Sequence, residues 1–436
     1  MHIFFSGIGG TGLGPLALIA HEAGYTVSGS DKQDSQYIQY LRQHGVSSIH
    51  IGQDEAQIAA AHATNPIDWY VYSSAVAIEN PHAPELEFCR RTGIKMTKRD
   101  ELLSTILADK DLKLIAIAGT HGKTTTTAMA IWLSVKLRLP VSYSVGGKIS
   151  FGEMGHYEPG SEYFIYEADE FDRNFLAFHP YLSVVTGIDW DHPDIYPTRQ
   201  LYQEAFSQFI LQSAQTVLWQ EDAQLLGLTA GAQYQVVDKS DEAIASQLRL
   251  PGVVNRQDAW QVAQAFTYIT DRPLDELIAI LNQFPGVSRR FEQLIPGLYT
   301  DYAHTPPKIR GTLETAHELA PDRVVVVYEG LHNTRQHFIK DELAHLFDDV
   351  KQLYIVPTYL AREDESLALL SPQDLQNILG DTARSKSTAA TLDDSLGQAI
   401  QSHIQDGDTV VCISAGGGGS LDEWLRSQFA ADIHSA

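Results

Sequence analysis

The chain has 436 residues, of which 44% are hydrophobic and 20% charged, values typical of a globular protein with two or three domains. Its 55 acidic and 31 basic residues give a net charge of −24, which argues against a nucleic-acid-binding surface. The two cysteines exclude a disulfide framework and favour a reducing compartment, and neither a signal-peptide pattern nor a membrane-length apolar run is present. We therefore expect a cytoplasmic protein that binds neither nucleic acid nor membrane. The sequence does not indicate its oligomeric state.

The first motif along the chain is a glycine-rich turn between a predicted strand and a predicted helix. Residues 2–5 are apolar, the stretch GIGGTG over 7–12 matches G-x-G-x-x-G, and helical spacing follows over 16–23. A second predicted strand begins at Val27 and ends at Asp31, where a carboxylate would hold a ribose hydroxyl. The motif predicts a nucleotide diphosphate on a helix N-terminus, with NAD as the default ligand and a packing turn without ligand as the alternative. The glycines that would surround the diphosphate are Gly7, Gly9, Gly10 and Gly12.

A predicted strand over 69–73 ends in two adjacent hydroxyl side chains, Ser73 and Ser74. Hydroxyls at the carboxyl end of a strand face the ligand crevice of an open α/β sheet, so both are substrate-binding candidates. Helix capping is the alternative role for them. The charged run over 98–101 precedes a predicted helix, and we interpret it as a solvated helix face. The first domain is expected to end at residue 108.

A phosphate-binding loop is predicted at the start of the second domain. The apolar run over 114–118 leads into a glycine turn and then into a stretch with helical spacing. Strand, turn and helix in this order aim backbone N–H groups at one point, which attracts phosphate. Lys123 can reach the terminal phosphates of a nucleotide, and the hydroxyl of Thr124 can hold Mg²⁺. The loop is shorter than the common pattern, and its candidate residues are Gly119, Thr120, His121, Gly122, Lys123, Thr124 and Thr125.

Acidic residues follow two further predicted strands of the second domain. The strand over 163–168 runs into Glu167 and the acidic residues after it, and the strand over 182–188 is followed by Asp-Trp-Asp-His. Because Mg²⁺ takes oxygen ligands and keeps several waters, one or two carboxylates and the nucleotide suffice to hold it. Glu167 and His192 are therefore the metal-site candidates, with His192 acting through a water. The alternative is that both residues belong to surface turns.

The third domain is expected to begin at residue 289, after a hinge at Pro285-Gly286. Alternating strands and helices predict another open α/β sheet, with strands over 298–302, 324–328, 353–356 and 409–414. The glycine run over 416–419 is either a second phosphate cradle or a flexible turn, and we favour the turn. The predicted fold class is therefore α/β with three domains, of which the first and third are Rossmann-like.

Five motifs of this chain stand in the order seen in the Mur ligases. They are GTHGKTTTT (119–127), EADE (167–170), DWDHPDIY (189–196), RRFE (289–292) and DYAHTP (301–306). The chain thus resembles this family, the ATP-dependent amide-forming enzymes of peptidoglycan precursor synthesis. The stretches GIGGTG, SGSD and YSSAV resemble most the branch that joins L-alanine to UDP-N-acetylmuramate.

The resemblance implies a division of labour among three domains. Residues 1–108 would bind UDP-N-acetylmuramate, whose diphosphate replaces NAD on the glycine turn, 109–288 would bind ATP, and 289–436 would bind the amino acid. Lys123 would neutralise the transferred phosphoryl group, and Thr124, Glu167 and His192 would hold Mg²⁺. Lys123, Glu167 and His192 would thus be the catalytic residues.

The family chemistry has two steps. The muramate carboxylate would attack the γ-phosphate of ATP to give an acyl phosphate, and the amine of L-alanine would then displace phosphate. Arg290 and Asp301 would reach ATP when the third domain closes, and Asn255 would lie near the adenine. His304 and Arg335 would serve the amino-acid substrate.

The chain departs from the family pattern where adenine and the amino acid bind. Val254 and Asp258 stand where the family often has His and Asn, and Thr305 stands where alanine-adding enzymes usually carry a second His. A murein-peptide ligase, which joins a ready-made peptide to the same sugar nucleotide, is therefore the nearest alternative. An NAD-dependent oxidoreductase and a nucleotide-hydrolysing switch protein are alternatives of other classes.

Overall fold

A computed structural model describes residues 1–73, 76, 80–192, 195–360, 363–364 and 366–433, so the candidate Ser74 lies outside the described residues. This part of the chain contains three β-sheets flanked by helices. It divides into two compact units, the first formed by 1–248 and 257–284 and the second by 249–256 and 285–436. The first unit carries two of the sheets and the second unit carries one. The predicted α/β fold with three sheet-containing domains is confirmed.

The amino-terminal sheet has five parallel strands in the order β3-β2-β1-β4-β5. The chain leaves the central strand β1 towards β2 on one side and later returns to β4 on the other. Open α/β sheets bind ligands where the strand order reverses in this way, which here is between β1 and β4. Every residue of β1 is buried, as expected for a strand covered on both faces. The strands are β1 (His2–Ser6), β2 (Thr26–Asp31), β3 (Ile49–Ile51), β4 (Trp69–Tyr72) and β5 (Lys95–Thr97). The helices are α1 (Gly14–Glu22), α2 (Gln36–Gln43), α3 (Glu55–Thr64), α4 (Pro84–Thr92) and α5 (Arg99–Asp109).

The middle sheet has seven strands in the order β12-β11-β10-β6-β9-β7-β8, all parallel except β8. The strands are β6 (Lys113–Ala118), β7 (Val141–Ser144), β8 (Gly155–His156), β9 (Tyr163–Glu167), β10 (Leu182–Val185), β11 (Gln215–Trp219) and β12 (Tyr234–Val237). The helices are α6 (Lys123–Leu137), α7 (Arg199–Gln212), α8 (Gln220–Leu225), α9 (Glu242–Gln247), α10 (Val253–Phe266) and α11 (Leu274–Leu281), with a 3₁₀ segment at Phe171–Ala177. The two strands that end in acidic residues, β9 and β10, lie on either side of β6. Their carboxyl ends therefore flank the turn that follows β6.

One hydrophobic core joins the two sheets of the first unit. Buried side chains of β1 and α1 belong to the same cluster as Leu103 of α5, Phe164 of β9 and Phe206 of α7. A hydrogen bond adds to this junction, since the backbone amide of Tyr157 donates to Oε2 of Glu22 at 2.6 Å. The turn after β1 and the turn after β6 are therefore held in a fixed relation to each other.

The second unit contains a six-stranded sheet in the order β13-β14-β18-β15-β16-β17, parallel except for the β13–β14 hairpin. Separate apolar clusters cover its two faces, and all eight residues of β15 are buried. The strands are β13 (Glu292–Ile295), β14 (Leu298–Asp301), β15 (Val324–Leu331), β16 (Gln352–Tyr359), β17 (Ser387–Ala389) and β18 (Thr409–Ile413). The helices are α12 (Pro306–Leu319), α13 (Asn333–Leu343), α14 (Pro372–Ile378), α15 (Asp381–Ser385), α16 (Asp394–Gln405), α17 (Leu421–Gln428) and α18 (Ala430–Ile433). Across the described ranges, no helix has both the length and the apolar character needed to span a bilayer.

Candidate active site

The turn between β6 and α6 has the backbone geometry of a phosphate-binding loop. Gly119 and Gly122 have φ angles of +142° and +79°, a region that favours glycine. A Cβ atom at Gly119 would lie 2.1 Å from Oγ1 of Thr186, so no side chain fits there. The helix begins at Lys123 directly after this turn, and its first N–H groups face the mouth of the loop.

The loop is tied to the segment that follows β10. Oγ1 of Thr120 donates to the carbonyl of Asp189 at 2.6 Å and accepts from the Asp189 amide at 2.9 Å. The hydroxyl of Tyr202 lies 2.8 Å from the same oxygen, and the carbonyl of His121 accepts from the Thr186 hydroxyl. Thr125 is half-buried in the first turn of α6. These bonds fix the loop conformation before any ligand is bound.

Lys123 forms a buried ion pair with Glu170, a residue whose role the sequence did not reveal. Its Nζ donates to Oε2 of Glu170 at 2.7 Å and to the carbonyl of Gly119 at 2.6 Å. The side chain of Glu170 is 1% exposed and that of Lys123 is 15% exposed. Burial raises the pKa of Glu170. For Lys123 burial acts to lower the pKa, but the carboxylates of Glu170, Asp169 and Glu167 together outweigh it, so that pKa is raised. The ammonium group is thus held charged at the mouth of the loop.

Thr124 and Glu167 supply oxygen atoms suited to Mg²⁺. The Thr124 hydroxyl donates to Oε1 of Glu167 at 2.9 Å, and Oε2 of Glu167 accepts from the Gly146 amide at 2.8 Å. Across the described residues there is no group of three or more His, Cys, Asp or Glu side chains arranged to hold a metal. One hydroxyl and one carboxylate match the donor set of an ion that completes its shell with nucleotide oxygens and water. The residues present therefore fit Mg²⁺ bound together with a nucleotide.

His192 lies beside Glu170 rather than beside Glu167. Its Nε2 is 3.7 Å from Oε1 of Glu170, and its ring packs edge-on against Phe171. The backbone of His192 has φ +56°, an uncommon conformation for a residue other than glycine. Strained backbone of this kind clusters at functional sites. The structure thus joins His192 to the Lys123–Glu170 pair.

A buried carboxyl group supports the loop from behind. Asp258 is 3% exposed, and its Oδ2 lies 2.9 Å from the position a Cβ at Gly122 would take. Burial raises the pKa of Asp258 to about 8, although the hydroxyl of Thr126 acts to lower it. The sequence indicated only that Asp258 departs from the family pattern. Its surroundings show that it packs against the loop.

The glycine turn after β1 is ordered by a side chain from β2. The amide of Gly9 donates to Oδ2 of Asp31 at 2.8 Å, and Gly7 has φ +86°. Oγ of Ser73 accepts from the amide of Val76 at 3.4 Å and lies 3.3 Å from a Cβ position at Gly7. Ser73 therefore accepts a hydrogen bond from the backbone of Val76 and also lies against the glycine turn, a position that suits both roles predicted for it.

A cavity of about 210 Å³ connects the glycine turn to the phosphate loop. Thr11 and Gly12 of the glycine turn line it together with Lys123 and Glu167. Since about 15 Å³ suffices for one water molecule, the cavity has room for much larger groups. Its wall also includes Arg99, whereas the neighbouring Asp100 is 5% exposed. The interpretation of 98–101 as a solvated face is therefore wrong for Arg99 and Asp100.

In the second unit, Asp301 fixes the turn that carries Arg290. Its Oδ2 accepts from the amide of Phe291 at 2.7 Å, and its Oδ1 accepts from the amide of Ala303 at 2.8 Å and from Thr312 at 3.0 Å. The guanidinium of Arg290 lies 4.6 Å from the ring centre of Tyr302. Burial raises the pKa of Asp301. Asp301 thus acts within its own unit as the anchor of the turn.

Asn255 also belongs to the second unit, where its side-chain amide donates to the carbonyl of Pro251 at 2.7 Å. It stands in the first turn of α10, the helix that continues into the first unit from residue 257. The structure places Arg290, Asp301 and Asn255 in one compact unit, apart from the residues of the phosphate loop.

His304 and Arg335 share a cationic environment at the carboxyl ends of β14 and β15. Burial, and the positive charges of Lys308, Arg335 and Arg290, lower the pKa of His304 to about 3. Its Nδ1 lies 2.9 Å from the carbonyl oxygen of Tyr302, which fixes the ring. Nη1 of Arg335 is buried and makes no hydrogen bond within the described part of the chain. The cluster suits an anionic ligand group such as a carboxylate.

The glycine run at 416–419 is a turn whose helix end is already occupied. Oε1 of the buried Glu329 accepts from the amide of Leu421, the first residue of α17, at 2.8 Å. Its Oε2 accepts from the hydroxyl of Ser414 at 2.6 Å. An internal carboxylate thus takes the position that a phosphate would need, which agrees with the predicted turn.

Protein-family models match three successive parts of the chain. They are described as the Mur ligase family catalytic domain (residues 2–111), the Mur ligase middle domain (117–270) and the Mur ligase glutamate ligase domain (289–416). A UDP-N-acetylmuramate–L-alanine ligase of Coxiella burnetii is 30% identical over 466 residues, covering 96% of each chain. A ligase of the same name from Clostridium perfringens is 28% identical over 95% of each chain.

Solved structures resemble the fold over the full length of the chain. A UDP-N-acetylmuramate-alanine ligase from Thermotoga maritima superposes with a TM-score of 0.76 at 23% identity, covering 100% of both chains. A murein peptide ligase from Psychrobacter arcticus gives a TM-score of 0.63 at 22% identity, covering 100% of this chain and 99% of its own. The match of three Mur ligase family models along the chain shows that the oxidoreductase and switch-protein alternatives are wrong. The chain belongs to the Mur ligase family of ATP-dependent, amide-bond-forming ligases.

Proposed function

We propose that this protein joins L-alanine to the muramate carboxylate of UDP-N-acetylmuramate, with ATP and Mg²⁺, in cytoplasmic synthesis of peptidoglycan precursors. The observation that carries the proposal is the cavity that Gly12 of the glycine turn shares with Lys123 and Glu167. A sugar nucleotide anchored by its diphosphate at the first turn could extend its acid group to the second. Relatives at 30% identity over 96% of the chain, named for this reaction, support the choice of substrates.

The amino-terminal domain would hold the sugar nucleotide. We assign residues 1–108 to it, with the diphosphate at Gly7, Gly9, Gly10 and Gly12. Asp31 orders the turn by accepting a hydrogen bond from the Gly9 amide. Its second carboxylate oxygen would face a sugar hydroxyl. Ser73 lies close to Gly7 and would contact the same ligand, as would Ser74.

The middle domain, residues 109–288, would activate the acid. ATP supplies the phosphoryl group, and Mg²⁺ when bound neutralises the charge of its phosphates. Thr124 and Glu167 would hold the metal, with His192 contributing through a water molecule. Lys123, held charged by Glu170, would stabilise negative charge as the carboxylate oxygen attacks phosphorus. The loop amides and Thr125 would cradle the remaining phosphates.

The carboxy-terminal domain, residues 289–436, would deliver the amine. Arg335 and the neutral His304 would bind the carboxylate of L-alanine, which leaves its amine to attack the acyl phosphate and expel phosphate. Arg290, on the turn anchored by Asp301, would reach ATP when the domains close, and Asn255 would lie against adenine. Positioning of the two reactants supplies most of the rate enhancement in such a reaction.

Release of phosphate with different acceptors tests the proposal. Purified protein would receive UDP-N-acetylmuramate, ATP and Mg²⁺, and then L-alanine, glycine, L-serine or a tripeptide in separate reactions. We expect L-alanine to stimulate release most strongly. Release stimulated only by the tripeptide would favour a murein-peptide ligase, and hydrolysis insensitive to every acceptor would contradict ligation.

Two lysine variants of helix α6 test whether activity depends on the lysine of the phosphate loop. Lys123→Ala should abolish stimulated release, because it removes the cation at the start of α6. Lys136→Ala is the matched control, since Lys136 is exposed in the last turn of α6, over the ring of Trp132. Loss of activity in both variants would indicate damage to the helix rather than loss of a phosphate contact.

A further inference from the structure

The side chain of Arg99 bridges the two domains of the first unit. It stands at the start of α5, and its Nη2 donates to Oδ2 of Asp169 at 3.2 Å. Its Nε lies 3.4 Å from Oδ1 of the buried Asp100. Asp169 follows β9 in the middle domain, so two carboxylates from different domains hold one edge of the guanidinium plane.

The remaining edge of the guanidinium faces the glycine turn. Nη1 of Arg99 lies 3.0 Å from the position that a Cβ at Gly12 would take. Within the described part of the chain, no hydrogen bond involves this nitrogen, although the side chain is only 28% exposed. Gly12 is exposed, and both residues line the cavity. An unused donor pair is therefore directed at the turn where the diphosphate is expected.

Few positive charges line the cavity besides Arg99. Arg99 and Lys123 are the cations among its described lining residues, and Glu167 and Asp169 are the acids. Lys123 is engaged with Glu170, whereas Nη1 of Arg99 lies against Gly12. A doubly charged diphosphate at Gly12 would therefore meet Arg99 as its nearest cation. The planar fork of arginine suits phosphate oxygens, which it binds with two parallel hydrogen bonds.

We propose that Arg99 binds the diphosphate of the sugar nucleotide, with Asp100 and Asp169 orienting its guanidinium. The inference rests on the proposed function and adds a cationic residue to a turn that otherwise offers uncharged donors, its backbone amides and the hydroxyl of Thr11. It also explains why a charged run at the start of a helix is partly buried. Because Asp169 belongs to the same EADE motif as Glu167, the same contact would link the anchored substrate to the activation site.

Binding measurements on three ligands test the assignment. We would measure the Kd of UDP, UDP-N-acetylglucosamine and UDP-N-acetylmuramate by calorimetry for the wild type, Arg99→Ala and Arg99→Lys. All three ligands contain the diphosphate, and only the last carries the muramate carboxylate. We expect Arg99→Ala to weaken all three by a similar factor of about 10–100, the range for a charged hydrogen bond. Arg99→Lys keeps the positive charge but not the planar guanidinium. Its Kd values should therefore lie between those of the wild type and those of Arg99→Ala.

Lys98 provides a matched control for the domain contact. It precedes Arg99 and forms an ion pair with Asp172 of the middle domain, and it does not line the cavity. Lys98→Ala should leave all three Kd values within about twofold of the wild type, since an exposed pair contributes little. In turnover, Arg99→Ala should raise KM for the sugar nucleotide and leave KM for ATP unchanged.

The possible outcomes separate this inference from the proposed function. Equal Kd values for wild type and Arg99→Ala would overturn it, as would a loss confined to UDP-N-acetylmuramate, which would place Arg99 at the carboxylate instead. A loss of the same size in Lys98→Ala would assign the effect to domain packing and also overturn it. If the wild type bound no uridine nucleotide, the proposed function itself would fail. Thermal unfolding of each variant confirms that folded proteins are compared.

Discussion

Removal of the Lys123 side chain should lower both activity and stability, for separable reasons. In the folded protein its Nζ is 2.7 Å from a Glu170 carboxylate that is 1% exposed. Lys123→Ala leaves this carboxylate buried without its partner. Breaking a buried pair by removing one member costs about 3–5 kcal/mol, because the remaining charge keeps its desolvation cost. Against a total of about 5–15 kcal/mol for a typical domain, the variant should be folded but clearly less stable.

The second variant of the series is Lys123→Ala/Glu170→Gln, which removes the unpaired charge. It should regain most of the lost stability, yet remain inactive, because the phosphate contact is still missing. We expect kcat to fall by at least about 10²–10³ in both proteins, as for loss of an electrostatic stabiliser of a transition state. Denaturant unfolding and phosphate release measure the two quantities on the same preparations.

The pH dependence of the single variant adds an independent check. Burial raises the pKa of Glu170, and in the wild type the charge of Lys123 is the largest effect that opposes this rise. Lys123→Ala removes that opposing charge, so the neutral form of Glu170 is favoured more strongly in the variant. A group with a raised pKa contributes stability below its unfolded pKa and loses that contribution as pH rises through the folded value. The stability deficit of Lys123→Ala should therefore shrink as pH falls. Equal stability of Lys123→Ala and wild type at neutral pH, or activity in the double variant, would refute the reasoning.

Three further predictions concern the metal, the loop and the second unit. Glu167→Gln should weaken Mn²⁺ binding in the presence of ATP at least about tenfold, measured by electron paramagnetic resonance; unchanged binding would contradict the metal assignment. Because burial raises the pKa of Asp258 to about 8, wild-type stability should fall relative to Asp258→Asn as pH rises from about 4 to about 8. Parallel curves for the two proteins would contradict the burial argument. The pKa of His304 is lowered to about 3, so its ring should stay neutral by NMR down to about pH 4. The fold should lose stability as pH falls from about 6.5 towards that value, and a ring that titrates near 6.5 would refute the prediction.

Much of the fold could be predicted because parallel strands are buried on both faces and read as apolar runs. The runs at His2–Ser6, Lys113–Ala118 and Val324–Leu331 all became central strands. The strands that sequence analysis did not identify lie towards the sheet edges. Tyr234–Val237 is only partly buried and Gly155–His156 has two residues, so neither leaves a clear apolar pattern.

The site could be predicted in part because some of its residues form a local pattern. Gly119 to Thr124 are contiguous, and their types are dictated by the loop itself. Glu170 and Arg99 were not assigned a role because their partners are 47 and 70 positions away in the chain. Charged residues are exposed by default, so only three-dimensional packing reveals a buried one. For Asp258 a weak signal existed, since it directly precedes the buried run at 259–263.

The central claim is that the muramate carboxylate is activated by phosphorylation before the amine attacks it. Transfer of oxygen-18 from the carboxylate of UDP-N-acetylmuramate tests this directly. When that carboxylate oxygen attacks the γ-phosphorus and phosphate later leaves, one labelled oxygen must travel with it. Mass spectrometry of the phosphate released in the presence of L-alanine should show one oxygen-18 atom per molecule. Unlabelled phosphate accompanying amide formation would contradict the account.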